Sequence, residues 1–132
     1  MSPVSIEGAV LAASPLIAQA VAVGDRRPYI VALIGLDPEA AEAFAARHGI
    51  TDPAPPVLAD HPAIRAAVAA AVDAANTRLS RVEQIKRFAI VPAFWEPGGD
   101  EITPTMKLKR RAITTKYADV IESLYAAAGE PA

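Results

Sequence analysis

The residue types best suited to pair with an anion are concentrated in one short stretch, residues 101–111. Within it, Thr103-Pro104-Thr105 predicts a turn, because proline lacks an N–H and drives the preceding residue towards extended geometry. Four cations follow this turn: Lys107, Lys109, Arg110 and Arg111. A rigid turn that presents a lysine beside further cations favours an anionic ligand. On composition alone a solvated basic surface is the commoner role of such a run, and that alternative stays open.

Helical spacing of apolar residues predicts four helices that would position this stretch, over residues 3–13, 37–48, 62–82 and 113–128. Three of them start at a capping residue followed by proline, which favours a helix N-terminus: Ser2-Pro3, Asp37-Pro38 and His61-Pro62. Gly49 and Gly129 are predicted to end the second and the last helix.

Three apolar runs predict strands, over residues 17–23, 29–36 and 88–94. Gly24 to Pro28 predicts a hairpin turn between the first two. Residues 51–60 contain three prolines and are predicted to form a loop. Layer packing of these elements predicts an α+β fold, with a small mixed β-sheet of three or more strands packed by about four helices in a single domain, residues 1–132.

Composition excludes several classes of protein. The 132 residues include no cysteine, so disulfides and thiolate metal sites cannot form. The net charge of −2 and pI of about 5.6 argue against a general nucleic-acid binder. Mean hydropathy is +0.24, but no apolar run is long enough to span a bilayer, and no signal peptide is evident. His48 and His61 are predicted to lie at helix ends, and Trp95 to pack at the rim of the core.

Thr103 to Arg110 resembles the C-terminal lysine motif of long-chain acyl-CoA synthetases, which belong to the adenylate-forming superfamily of AMP-binding enzymes. The usual superfamily form has Gly-Lys at this point, and the long-chain branch has Thr-Pro-Thr-x-Lys-Leu-Lys-Arg. Residues 24–29 and 82–88 also resemble family segments. Residues 3–7 are similar to the segment that follows the interdomain hinge, so the chain is expected to start just past that hinge.

The resemblance implies the C-terminal lid domain of a long-chain fatty-acid–CoA ligase, with the N-terminal adenylation domain absent. It implies that Lys107 is the catalytic lysine, with Lys109 the competing candidate, and that Thr103, Pro104 and Thr105 form the turn that aims it. The cations expected to meet the phosphates of CoA are Arg26, Arg27, Lys109 and Arg110. No metal ligand is predicted in this chain.

The resemblance also implies ATP, CoA and Mg²⁺ as requirements of the full-length enzyme, with fatty acid as the acyl substrate and the adenylation domain as partner. The isolated domain is expected to be inactive and cytoplasmic, any membrane contact being made through the absent domain. Two alternatives remain: a non-catalytic interaction module that keeps the same fold, such as the remnant of a split ligase gene, and a basic-turn nucleic-acid binder.

Overall fold

The structure is a computed structural model that describes residues 2–129, with side chains described up to residue 126. Its centre is a three-stranded sheet in the order β1-β2-β3. The strands are β1 (Ile17–Val23), β2 (Ile30–Leu36) and β3 (Ile85–Ile90). β1 and β2 pair antiparallel, whereas β2 and β3 pair parallel, so the sheet is mixed as predicted.

Six helices cover this sheet within the described residues: α1 (Pro3–Ala13), α2 (Pro38–Arg47), α3 (Pro55–Asp60), α4 (Pro62–Asn76), α5 (Arg110–Lys116) and α6 (Ala118–Gly129). Proline stands in the first turn of each of the first four, where its missing N–H has no intrahelical partner to lose. Asp37 caps α2 by accepting from Ala40 N at 2.8 Å, and His61 caps α4 by accepting from Ala63 N at 3.1 Å.

The side chains of β2 alternate between two hydrophobic clusters, one on each face of the sheet. Ile30, Ala32, Ile34 and Leu36 join the apolar faces of α1, α2, α3 and α4. Val31 and Leu33 point to the opposite face and join residues of α5 and α6, among them Ile113 and Ile121. Every residue of β2 is buried, as expected of a central strand covered on both faces. The molecule therefore has three layers, helices on both sides of one sheet.

Two predictions about residues 51–82 were wrong. Residues 51–60 are not all loop, because Pro55 and Pro56 begin α3, whose Leu58 is fully buried. The long helix ends at Asn76 and not at residue 82. The Asn76 side chain there bonds both backbone groups of Ile85, at 2.8 and 3.0 Å, and so joins the helix end to β3. Val82, predicted to lie on the apolar stripe, is 83% exposed.

Two further boundaries differ from the prediction. The third strand covers Ile85–Ile90 and not residues 88–94, since it pairs with β2 from Ile30 onwards and Pro92 cannot continue the ladder. The last predicted helix is divided into α5 and α6 at Tyr117, whose φ of −105° and ψ of 23° leave helical geometry. The side-chain environment of Ala128, which was assigned to the apolar stripe, lies outside the described part of the chain. α6 is described as far as Gly129, the residue predicted to end the helix. No helix in residues 2–129 has the length and apolarity needed to cross a membrane.

Candidate functional site

Residues 101–109 form a short β-hairpin, which we call the lysine hairpin, between the sheet and α5. Its two arms are joined by hydrogen bonds from Thr103 N to Lys107 O and from Lys109 N to Glu101 O, both 2.8 Å. Ile102 and Leu108 face each other in an antiparallel bridge. The turn at its tip is closed by Met106 N donating to Thr103 O at 2.9 Å. The predicted turn therefore exists and ends at the candidate lysine.

The residue types of the tip explain its conformation. Pro104 occupies the first central position of the turn, where its fixed φ is favourable. Met106 has a φ of 68° and is the left-handed residue that completes a three-residue hairpin loop. The Thr103 hydroxyl accepts from Lys107 N at 3.0 Å and lies 3.2 Å from the Thr105 hydroxyl. Both threonines therefore hydrogen-bond within the tip and restrict the backbone that carries Lys107.

Lys107 is exposed at the end of this tip. Among residues 2–129 its ammonium group has no hydrogen-bond or ion-pair partner, in contrast to the nearby Lys109 and Lys116. Lys109 Nζ donates to Gly99 O at 2.9 Å, and Lys116 Nζ lies 2.5 Å from Glu101 Oε2. Lys107 is therefore available to a group outside this chain, whereas Lys109 holds the preceding turn.

The base of the lysine hairpin is buried even though its tip is exposed. Ile102 is completely buried, and the Glu101 side chain is 9% exposed. The Glu101 carboxylate pairs with Lys116 of α5 and, by its hydrogen bond, raises the pKa of that ammonium group. Asp100 adds a weaker contact to Lys116 at 3.6 Å. One arm of the hairpin is thus attached to α5 by charge and by apolar burial.

The other arm leads into Arg110, the first residue of α5. Its guanidinium donates two hydrogen bonds to the Glu7 carboxylate of α1, each 2.6 Å. Glu7 Oε2 also accepts from Ala22 N of β1 at 2.8 Å. The Glu7 side chain is 7% exposed, and its hydrogen bonds raise the pKa of Arg110. Glu7 therefore joins α1, β1 and the end of the lysine hairpin through three hydrogen bonds.

Arg26 and Arg27 lie in the turn between β1 and β2. Arg26 is exposed with a φ of 58°, and Arg27 pairs with Glu122 of α6. The Arg27 guanidinium also lies 4.5 Å from the centre of the Tyr125 ring. Its bond to Glu122 raises the pKa of the guanidinium and lowers the pKa of the carboxyl group. Burial raises the pKa of the Tyr125 hydroxyl, which lies 2.9 Å from Val23 O.

The structure brings only some of the predicted site residues together. Arg110 lines a cavity of about 210 Å³ with Gly24 and Asp25, so α5 adjoins the start of the turn that carries Arg26 and Arg27. Lys109 lines a separate open groove of about 700 Å³ with Arg111 and Lys116. Lys107 lines neither space. The predicted cations are therefore spread over the lysine hairpin, the start of α5 and the β1–β2 turn.

The residues predicted to be structural have partners that fit this role. His48 Nδ1 lies 2.9 Å from Phe44 O, and its ring stacks on Phe44. Trp95 Nε1 donates to the Tyr117 hydroxyl at 3.1 Å beside the second hydrophobic cluster. His61 caps α4 as described above.

Sequence reasoning did not identify the carboxylates that hold the predicted cations. Glu7 and Glu101 are the buried charged residues of the described chain, and Glu122 pairs with Arg27. One signal was present for Glu7: it adjoins Ile6 and precedes Val10 by three residues, so it borders the buried face of α1. A carboxylate at such a position requires a buried partner. Its partner could not be read from the sequence, because Arg110 is 103 residues away.

Comparison with known proteins matches residues 1–129 to the family described as AMP-binding enzyme C-terminal domain. Over 131 residues the chain is 51% identical to a putative fatty-acid–CoA ligase, fadD11, of Mycobacterium tuberculosis, covering 99% of this chain and 23% of that protein. It is 45% identical over 116 residues to the long-chain-fatty-acid–CoA ligase FadD15 of the same species, covering 87% of this chain and 19% of the relative. The chain thus spans about a fifth of the length of these relatives.

Solved structures show the same fold. The A-PCP didomain of a carboxylic acid reductase from Segniliparus rugosus, in complex with AMP, aligns with a TM-score of 0.70 at 22% identity. The alignment covers 96% of this chain and 16% of that chain.

Proposed function

This chain belongs to the AMP-binding enzyme C-terminal domain family, and we propose that it is the C-terminal domain of a long-chain fatty-acid–CoA ligase that supplies the catalytic lysine for adenylation. In the proposed reaction the fatty-acid carboxylate attacks the α-phosphate of ATP, which gives acyl-adenylate and pyrophosphate. The thiol of CoA then displaces AMP. The adenylation domain that binds ATP and the acyl chain would be the partner of this chain, and we call the complex of the two the assembled ligase.

Lys107 is proposed to stabilise negative charge in the first half-reaction. The attack brings two anions together, so a cation placed at the reacting oxygens lowers the barrier more than it strengthens substrate binding. One observation carries the proposal. Within the described residues, Lys107 is exposed and has no partner, and it lies at the tip of a hairpin whose base is buried. A compact charge on a flexible stem can enter a site on another domain while its backbone stays fixed.

The phosphates of CoA are proposed to meet cations of the lysine hairpin, the start of α5 and the β1–β2 turn. Of the four candidates, Arg26 has no charged partner among residues 2–129, and Lys109 is engaged only by a carbonyl group. Arg27 and Arg110 would have to share their charge with Glu122 and Glu7. The geometry therefore ranks Arg26 and Lys109 first as CoA contacts.

ATP and Mg²⁺ are assigned to the adenylation domain. Within the described part of this chain no three His, Asp or Glu side chains cluster as metal ligands. No step assigned to this chain passes through the metal. A cytoplasmic location is part of the same proposal, since fatty acid, ATP and CoA would meet there.

The test is Lys107→Ala in the assembled ligase, with each half-reaction assayed separately. Pyrophosphate release should fall by about 10²–10³, the effect of removing one preorganised contact to a developing anion. Thioester formation from supplied acyl-adenylate should change little, because the lysine is not needed once the adenylate exists. The control is Lys86→Ala, which removes an exposed lysine of β3 that is not part of the hairpin.

Three outcomes contradict the proposal. Equal loss in both half-reactions would make Lys107 a structural residue. Loss of adenylation in Lys109→Ala, but not in Lys107→Ala, would assign the role to Lys109. No acyl-CoA from the assembled ligase itself would favour the non-catalytic interaction module.

A further inference from the structure

We propose that Glu7 is a positioning residue for adenylation, which acts through Arg110 to fix the direction of the lysine hairpin. This inference rests on the proposed role of Lys107. It concerns a carboxylate of α1 that touches neither Lys107 nor the reacting atoms of that reaction. Its evidence is the three-way contact among α1, the edge of β1 and the first residue of α5.

The contact lies at the free edge of the sheet. β1 is an edge strand, and Ala22 N donates to Glu7 instead of to another strand. α1 packs in the first hydrophobic cluster, whereas α5 packs in the second, on the opposite face. The pair between Glu7 and Arg110 therefore passes around the edge of β1 and joins the two helical layers.

Arg110 comes three residues after Lys107, so its placement limits where the hairpin can point. Its two parallel hydrogen bonds to Glu7 define both a distance and a plane, unlike a single contact. Glu101 and Lys116 fasten the other arm of the hairpin to the same helix. With α5 located by Glu7, both arms are fixed relative to the sheet, and the tip is held in one direction.

A backbone that carries a catalytic group needs this precision, because a displacement of about 1 Å can reduce a rate by about 100-fold. In Glu7→Gln the side chain keeps its size but loses its charge, and its amide group cannot accept both bonds from the guanidinium. We expect the hairpin to keep its fold and to lose its fixed direction.

The experiment measures both half-reactions in the assembled ligase carrying Glu7→Gln. The kcat of adenylation should fall by roughly 10- to 100-fold. The KM values for ATP and fatty acid should stay within about twofold, because Glu7 is not placed near either substrate. Thioester formation from supplied acyl-adenylate should be nearly unchanged.

The matched control is Asn76→Ala, which removes two hydrogen bonds between α4 and β3. β3 is at the opposite edge of the sheet from β1, which Glu7 contacts. Asn76→Ala should lower the melting temperature comparably but leave the kcat of adenylation within about twofold of the parent value. If both variants lose adenylation in proportion to their melting temperatures, Glu7 has a purely structural role and the proposal is overturned.

Arg110→Lys tests the same pair should Glu7→Gln fail to fold, because it keeps a cation next to Glu7 without the two-pronged contact. It should lower the kcat of adenylation, and an unchanged kcat would overturn the proposal. Where Glu7→Gln folds, the double variant should be no slower than the slower single variant. Independent, additive losses would overturn the proposal. Lys107→Ala separates the proposed function from the positioning role: if it lowers adenylation as expected and Glu7→Gln leaves the kcat of adenylation within about twofold of the parent value, only the positioning role fails. If Lys107→Ala leaves adenylation intact, the proposed function fails and the positioning role fails with it.

Discussion

Met106 adopts a backbone conformation that favours glycine, directly before the candidate lysine. A non-glycine residue in the left-handed region is strained by about 1–2 kcal/mol, and part of this is recovered when glycine replaces it. Met106 is also 54% exposed, so its side chain contributes little burial. We expect Met106→Gly to raise the free energy of unfolding by roughly 0.5–1 kcal/mol, measured by urea denaturation of the isolated chain.

Met106→Ala is the control for this prediction, because alanine removes the thioether but keeps the strain. Its stability should stay within about 0.5 kcal/mol of the parent chain. A glycine variant less stable than the alanine variant would show that the turn is not strained.

The sequence predicts the turn that carries Lys107, but it does not predict the buried carboxylates that hold the hairpin in place. The turn around Lys107 follows from local residue types, because Pro104 and the threonines act on their own neighbours. The burial of Glu7 and Glu101 does not, because each carboxylate is neutralised by a residue that only the fold brings near. Arg110 was expected to meet CoA or solvent for the same reason, because its partner Glu7 is 103 residues away.

At the scale of the elements, Glu122 attaches α6 to the turn between β1 and β2. Arg27 lowers the pKa of this carboxyl group below its ordinary value of 4.5, chiefly by hydrogen bonding. A carboxylate whose pKa is lowered by folding stabilises the folded state when ionised. This stabilisation is complete above pH 4.5 and is lost as the pH falls through the folded-state pKa.

Glu122→Gln should therefore lower the melting temperature at pH 7, by a small amount because both partners are exposed to solvent. The difference from the parent chain should shrink below pH 4.5 and vanish in stronger acid. The control is Glu42→Gln, at an exposed position of α2 with no ion-pair partner in the described chain. A difference that persists unchanged at low pH would mean that the ion pair is not its source.

Elements defined by a strong local signal were predicted well, and those decided by tertiary contacts were not. The bounds of α1 and β1 match the prediction, and α2 starts at its predicted cap, Asp37. The Ser2 side chain, in contrast, makes no capping hydrogen bond to α1. α4 was predicted too long because Leu79 and Val82 continue a helical spacing that the Asn76–Ile85 contact interrupts. α3 was missed because prolines were taken as breakers, whereas Pro55 and Pro56 stand where a helix start accepts them.

At the scale of the whole molecule, β2 is the element on which both helical layers depend. Leu33 is completely buried in the second cluster, and its replacement leaves a cavity between β2 and the α5–α6 layer. We expect Leu33→Ala to lower the free energy of unfolding by about 2–5 kcal/mol, measured by urea denaturation with an unchanged m-value.

The matched control is Leu11→Ala, since Leu11 lies on α1 and is 40% exposed. The same truncation there should lower the free energy of unfolding by clearly less than Leu33→Ala does, because fewer buried contacts are lost. Equal losses at the two positions would contradict the three-layer packing. The general architecture was predictable from the sequence, but the assignment of α5 and α6 to their own face of the sheet required the register of β2.

The mixed sheet also has a consequence for the order of folding. β1 and β2 are joined by a short turn, so their antiparallel pairing closes only a small loop. The parallel pairing of β3 with β2 must wait until residues 37–84 have been brought back across the sheet, which closes a much longer loop. The nucleus is therefore expected at the β1–β2 hairpin with α1 packed on it, and β3 is expected to dock late. The lysine hairpin follows β3 in the chain, so the part proposed to carry the chemistry would be among the last to reach its native geometry.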